Sequence, residues 1–305
     1  MLIIINIFMD HTLNWNTGEE YWLALVHAPD LRPALFRQLL NYFGSPRGIF
    51  EAGYWEWRTL NLKKDLLKYL QKPNWLAVEN DIRWLAQPGN HLLTLEHPDY
   101  PPFLREISQP PLLLFVQGDY TLLKSKQLAI VGTRCASDEG KKTAIEFAQR
   151  LSRYGFTITS GLAQGIEGVS HRGALAVAGK TIAVAGRGLD QIHPKEHHTL
   201  AHQIIETGAL ISEFPLDTPA KREHFLRCSR IVSGLSLGTL IIDAPRYSNS
   251  LDTAYFALEQ GREVFAIPGS IHNPLVKGCH KLIKQGAKLV ETTEDILKEL
   301  QIYLY

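Results

Sequence analysis

From Leu128 onward, short apolar runs alternate with stretches whose apolar positions return every three or four residues. The runs are Leu128 to Val131, Phe156 to Thr159, Thr181 to Ala185, Ala209 to Ile211, Thr239 to Asp243, Glu263 to Ile267 and Lys288 to Val290. This strand–helix rhythm predicts an α/β domain over residues 127–305 built on a doubly wound, mostly parallel sheet of the Rossmann-like kind. The earlier chain has a different period. From Trp22 to about Trp84 the spacing is helical throughout, as in Trp22, Leu23, Leu25 and Val26, then Leu35, Phe36, Leu39, Leu40 and Phe43. Gly44-Ser45-Pro46 ends one helix, and Trp55, Trp57, Trp75 and Trp84 supply core bulk, so residues 21–90 are expected to form a small helical domain behind a tail at 1–20. Between the two lies a stretch with Pro98, Pro101, Pro102, Pro110 and Pro111, then the extended run Leu112 to Val116 ending in Gly118-Asp119. It reads as a Pro-rich extended connector over residues 91–126.

In a doubly wound sheet the ligand sits outside the carboxyl ends of the strands, near the switch in strand order. The residues just after each run therefore carry the candidate chemistry. In chain order they are Gly132-Thr133-Arg134, Ser160-Gly161, Gly186-Arg187-Gly188, Ser212-Glu213, Ala244 to Ser250 and Pro268-Gly269-Ser270. Glycines let backbone N–H groups approach an anion, hydroxyls donate to phosphate oxygens, and the following helix N-termini add partial positive charge. Arg134 contributes a fork matched to phosphate. Any one of these glycines is equally well explained by a tight strand-to-helix turn; several tips of the same chemistry point to a phosphate-binding rim.

Charge narrows the site further. The 305 residues carry 32 Lys and Arg against 31 Asp and Glu, a net charge of +1, so no global basic field draws in nucleic acid. An anion site must be local. Lys221, Arg222, Arg227 and Arg230 stand against the single acid Glu223, with Phe225 among them. Charge runs are more often solvated faces, but an aromatic between cations is what a strand of stacked bases requires. Arg134, Lys221, Arg222, Phe225, Arg227 and Arg230 are therefore expected to converge at the carboxyl edge of the sheet.

Cys135, Cys228 and Cys279 form no C-x-x-C pair and no even disulfide set, which argues for the cytoplasm and against a zinc ribbon. Met1 to Phe8 is apolar but too short to span a bilayer, and it lacks a signal peptide's basic flank and cleavage site. The polar stretch after Met9 is typical of a true start. His198, His202 and Glu206 would share a helix face near His193 and His197, a metal-ligand pattern without an identifiable partner ligand elsewhere. His171, on the helix after Ser160-Gly161, is expected to bond backbone rather than to do acid/base work.

Several of these segments are ordered like the motifs of one family. Ile130 to Arg134 looks like I-V-G-S-R. Ser160 to Glu167, continuing to His171-Arg172-Gly173-Ala174-Leu175, looks like S-G-L-A-R-G-I-D followed by A-H-R-G-A-L. Thr181 to Asp190 is similar to T-I-A-V-L-G-x-G-L-D. Ile211 to Pro215, Ser248 to Ala254, Phe265 to Ser270, and Leu282-Ile283 with Gly286-Ala287 follow in order. Over roughly Pro98 to Leu300 the chain resembles the DNA-processing protein A (DprA, or Smf) family, and the preceding helices resemble that family's sterile-alpha-motif-like domain. The resemblance implies a non-catalytic protein that coats single-stranded DNA, forms a homodimer through the Rossmann-like domain, and helps load a RecA-type recombinase in natural transformation and recombination. It implies no cofactor, metal or membrane partner. The DNA-binding set it suggests is Gly132, Thr133, Arg134, Ser160, Gly161, Lys221, Arg222, Phe225, Arg227, Arg230 and Lys281. The dimer interface is assigned to His280, Ile283 and Leu289.

The chain departs from the family pattern at particular places. F-P-x-R-N-R-I appears as Phe225-Leu226-Arg227-Cys228-Ser229-Arg230-Ile231, so Cys228 replaces the first arginine of R-N-R and Arg227 lies one place early. Gln164 replaces an arginine, Asn249 a glycine and His193 a tyrosine, and Leu31-Arg32-Pro33 stands where a glycine-rich hairpin is expected. The sequence ends at Tyr305, without room for the winged-helix module some members carry. Two enzyme classes are the alternatives. A phosphoribohydrolase-like nucleotide-processing enzyme would show P-G-G-x-G-T-x-x-E, where Ser248 to Ala254 has neither paired glycines nor the glutamate. A dinucleotide oxidoreductase would show G-x-G-x-x-G after the first strand, and Gly186-Arg187-Gly188 is too short a match.

Overall fold

Residues 18–301 are described by a computed structural model; Met1 to Phe8, Met9 and most of the expected tail lie outside the described residues. Helices α1 (Glu19–Val26), α2 (Pro33–Phe43), α3 (Pro46–Glu51), α4 (Tyr54–Thr59), α5 (Lys64–Gln71) and α6 (Trp75–Leu85) come first. Proline opens α2 and α3, where its missing N–H has no intrahelical acceptor to lose. Gly44, at φ 78, closes α2 in the left-handed region, and Ser45 Oγ accepts from the Gly48 amide to start α3. Phe36, Leu39, Ile49, Phe50, Leu66 and Leu70 fill the module's interior, where the Trp57 indole donates to the Ile49 carbonyl at 2.8 Å. Trp55 does not join that core. It is 74% exposed on the two-turn helix α4, with the Arg58 guanidinium 5.7 Å from its ring centre.

The sheet follows: β1 (Asn90–Thr94), the short α7 (Pro102–Arg105), β2 (Leu113–Gly118), β3 (Gln127–Gly132), α8 (Asp138–Arg153), β4 (Thr157–Gly161), α9 (Ile166–Leu175), β5 (Thr181–Val184), α10 (His198–Thr207) and β6 (Ala209–Ser212). Then come α11 (Arg222–Leu235), β7 (Gly238–Ile242), α12 (Ser250–Glu259), β8 (Glu263–Ala266), α13 (Lys277–Lys284), β9 (Lys288–Leu289) and α14 (Thr293–Leu300). The described residues form one nine-stranded sheet in the order β1-β2-β6-β5-β4-β3-β7-β8-β9. From β6 to β9 all neighbours are parallel, while β1 pairs β2 and β2 pairs β6 antiparallel. Residues 91–94 and 113–118 of the connector expected over residues 91–126 thus lie inside the sheet, as parts of β1 and β2. The reason is backbone satisfaction: Leu113 to Val116 is buried, and an unpaired extended run there would leave its amides and carbonyls without partners.

Strand order turns at β3, with β4, β5 and β6 on one side and β7, β8 and β9 on the other. All six residues of β3 and all five of β7 are buried, as strands covered by helices on both faces must be. The helical module covers part of one face: Trp84 and Phe36 belong to the same apolar cluster as Phe115, Ala183, Leu200 and Leu210. A polar tie crosses that junction. Asp81 of α6, fully buried, accepts from His27 Nε2 at 2.7 Å and from the Leu216 amide beyond β6 at 3.3 Å.

Candidate nucleic-acid interface

A cleft of about 410 Å³ opens at the carboxyl ends of the parallel strands, beside the switch between β3 and β7. The tips of β3, β4 and β5 form its floor, the loop from β7 to α12 and the first turns of α11 its walls. Gly132 is required there by close packing. A Cβ would run into the Ile242 carbonyl of β7 and the Ile166 side chain, so glycine brings the N-terminus of α9 against the tip of β3. Gly165, at φ 79, completes that turn, and the Ile166 amide donates to the Thr133 carbonyl at 3.2 Å. Across the switch, Asp243 Oδ2 accepts from the amide and hydroxyl of Ser137 at 2.9 and 2.6 Å, and Ser137 caps α8. The cleft floor is therefore held by backbone and buried polar groups.

Gly132, Thr133, Arg134, Gly161 and Phe225 line this one cleft. Arg134 is exposed and lies over the Phe225 ring, 4.7 Å from its centre. Lys221 caps α11 and Arg222 is its first residue, both exposed, between Ala220 and Phe225 of the cleft wall. The acid among these groups is Glu167. Its Oε2 accepts from the Ala163 amide at 2.8 Å; burial pushes its carboxyl above the usual range, opposed by that hydrogen bond and by the charge of Arg134.

The other expected residues are placed differently. Arg230 is buried, with its guanidinium 2.5 Å from Glu213 Oε2, and Arg227 reaches both oxygens of the same carboxylate at 3.0 and 2.9 Å. Their positions on α11 turn them towards the end of β6, whereas Phe225, Cys228, Ser229 and Val232 face the cleft. The two share one carboxylate, which offsets one of their two charges. Ser160 is fully buried and its hydroxyl donates to the Ile130 carbonyl at 2.6 Å, a bond between strands that takes it away from the rim. Lys281, on α13, donates to the Tyr255 hydroxyl at 2.7 Å and does not line the cleft. On the same helix His280 contacts the Gly269 carbonyl at 3.0 Å, and Ile283 packs partly against its own core; Leu289 is 43% exposed on the two-residue edge strand β9.

His171 bonds the Gly161 carbonyl through Nε2 at 2.8 Å and the Thr181 hydroxyl through Nδ1 at 2.6 Å. Burial lowers its pKa to about 4, so the neutral ring holds the tip of β4 in place. The rings of His198 and His202 lie 4.6 Å apart on an exposed face of α10. Cys228 is buried, and burial pushes its thiol up. Sequence reasoning placed Arg187 and Glu213 among the strand tips of the expected rim without singling them out, and assigned no role to Glu167 or Asp243. Arg187, Glu213 and Asp243 follow strands and Glu167 lies in the first turn of α9, and the signal that could have singled them out is an ionisable residue at a strand tip or helix start facing a later helix.

Residues 91–301 match the family described as DNA recombination-mediator protein A. The chain belongs to that family. Protein Smf of Escherichia coli K12 is 50% identical over 230 residues, which are 75% of this chain and 62% of that protein. The DNA processing protein DprA of Bacillus subtilis is 42% identical over 215 residues, 70% of this chain and 72% of the relative. The X-ray structure of DNA processing protein A from Streptococcus pneumoniae superposes with a TM-score of 0.73 at 32% identity, covering 92% of this chain and 97% of that one. The solved structure of DNA processing protein A from Helicobacter pylori, described for its single-stranded DNA binding mode, superposes with a TM-score of 0.64 at 27% identity, covering 70% of this chain and 98% of its own. This family member spans less than two thirds of the Escherichia coli relative. The family match begins within β1, so the antiparallel pair β1–β2 belongs to the matched region.

Proposed function

We propose that this recombination-mediator family member binds single-stranded DNA in the cleft at the carboxyl ends of β3, β4 and β5. The observation that carries this reading is the pairing of an exposed arginine, Arg134, with the ring of Phe225 at the mouth of a glycine-lined cleft. A guanidinium neutralises a phosphate while an aromatic face accepts a base of any sequence, which is how single strands are held without base readout. Lys221 and Arg222 extend the cationic edge. The Helicobacter pylori relative, described as binding single-stranded DNA, supports the same ligand here. Binding rather than turnover is the activity, in DNA processing for natural transformation and recombination, with a RecA-type recombinase as the protein partner. No helix among the described residues is long and apolar enough to cross a membrane, and the cytoplasm is the compartment we assign.

We further assign a homodimer to the β9 edge, with Leu289 exposed there and His280 and Ile283 on the helix before it; two clefts on one particle would raise avidity for long strands. Replacing Ile283 and Leu289 together by charged residues should give a folded monomer by sedimentation, and a variant that stays dimeric removes this interface. The cleft is tested by competition gel shift: labelled single-stranded oligonucleotide should be retained against excess duplex. Its affinity should fall with salt at a slope of about −0.7 for each phosphate neutralised. Affinity unchanged across a tenfold range of salt, or turnover of nucleoside monophosphates, would overturn the reading.

A further inference from the structure

The motif matched by Thr181 to Asp190 leaves one position open, between the two glycines that follow the strand, and here that position is Arg187. Arg187 follows β5 and lines the same cleft as Arg134 and Phe225. Its surroundings differ from those of the arginines on α11. No carboxylate lies within ion-pair distance of its guanidinium among the described residues, whereas Arg227 and Arg230 are both held by Glu213. One Nη donates to the neutral amide oxygen of Gln191 at 2.7 Å, which orients the group without cancelling its charge. The Nε is shielded from solvent and has no hydrogen-bond partner among the described residues. A guanidinium N–H left so is unfavourable unless an acceptor from outside the chain completes it.

Across the cleft wall stands Cys228, in place of the first arginine of R-N-R. A Cβ built on Gly186 would lie 3.3 Å from the Cys228 sulfur, so position 228 of α11 and the tip of β5 are neighbours. The cation absent from the helix is supplied by the residue after Gly186 on the facing strand tip. We propose that Arg187 is a second anion-binding arginine of the cleft, seating a phosphate of the DNA backbone and taking over the charge that Cys228 does not provide. The inference rests on the single-stranded DNA reading above.

The test uses the full chain, a labelled oligothymidylate, and affinities measured over a series of salt concentrations. Arg187→Gln should melt like the wild type, weaken binding about tenfold, and make the salt slope shallower by about 0.7, the loss of one phosphate contact. A structural role alone would leave that slope unchanged. Wild-type affinity and slope in Arg187→Gln, beside a weakened Arg134→Ala, would overturn the assignment of Arg187 and leave the cleft standing. Wild-type binding by both variants would overturn the cleft and this inference with it. Lower affinity at an unchanged slope would also overturn it. Cys228→Arg added to Arg187→Gln should restore the slope, and a folded double variant that keeps the shallower slope would refute the exchange of roles between the two positions.

Discussion

The strand tips and the middle of α11 each bring two arginines to the carboxyl end of the sheet, and only the strand tips leave theirs charged towards the cleft. Arg134 and Arg187 line the opening with no carboxylate among the described residues within ion-pair distance, while Arg227 and Arg230 share Glu213. The difference shows that cations close together in sequence do not measure a local field. A buried carboxylate within hydrogen-bond distance offsets one of its two partners' charges and fixes where both guanidinium groups point, and the triad then serves the protein's own packing. Arg227 adds to that packing by stacking its guanidinium 4.4 Å from the centre of the Phe214 ring.

The sharpest way to break this division is Glu213→Ala. It would leave the Arg230 guanidinium buried without a counter-charge, and a stability loss of about 3–5 kcal/mol is expected in denaturant unfolding. Unchanged stability would mean that Arg230 can turn out to solvent, and the two pairs would then be alike. Next in size is a pH effect on the strand-tip side. The pKa of His171 is lowered to about 4 from an ordinary 6.5, so between those values the unfolded chain binds more protons than the folded one. The stability this neutral ring contributes is complete above pH 6.5 and is lost as pH falls towards 4, by about 3 kcal/mol in all. Melting curves across that window should flatten in a folded His171→Gln variant, and an unaltered pH dependence would show that His171 does not govern the β4 tip.

Smaller effects belong to DNA binding. Phe225→Ala should cost about 1–3 kcal/mol of single-strand affinity through lost stacking, with the salt slope nearly unchanged. Arg227→Ala should change affinity less than about threefold, roughly 0.6 kcal/mol, because its charge is already held by Glu213. A loss from Arg227→Ala as large as that from Arg134→Ala would erase the distinction between the two regions.

How far the sequence reaches is visible in these same residues. Strand runs, the helical period before Trp84 and the glycines at the tips are local signals, and the parallel strands β3 to β9 stand where those signals put them. Arg134 and Phe225 meet in the cleft because a strand tip and the start of a helix are both placed by the doubly wound order. What only the tertiary structure decided are the properties that depend on a partner distant in the chain. Leu113 to Gly118 became part of the sheet because β1 and β6 offered hydrogen bonds on both sides. The Ser160 hydroxyl turned to Ile130, thirty residues away. Arg227 and Arg230 turned to share Glu213, 14 and 17 residues before them, which offsets one of their two charges, and no carboxylate among the described residues reaches Arg187. Periodicity is set within a few residues by backbone geometry; the charge a side chain presents is set through space, by whichever group the fold brings to its end.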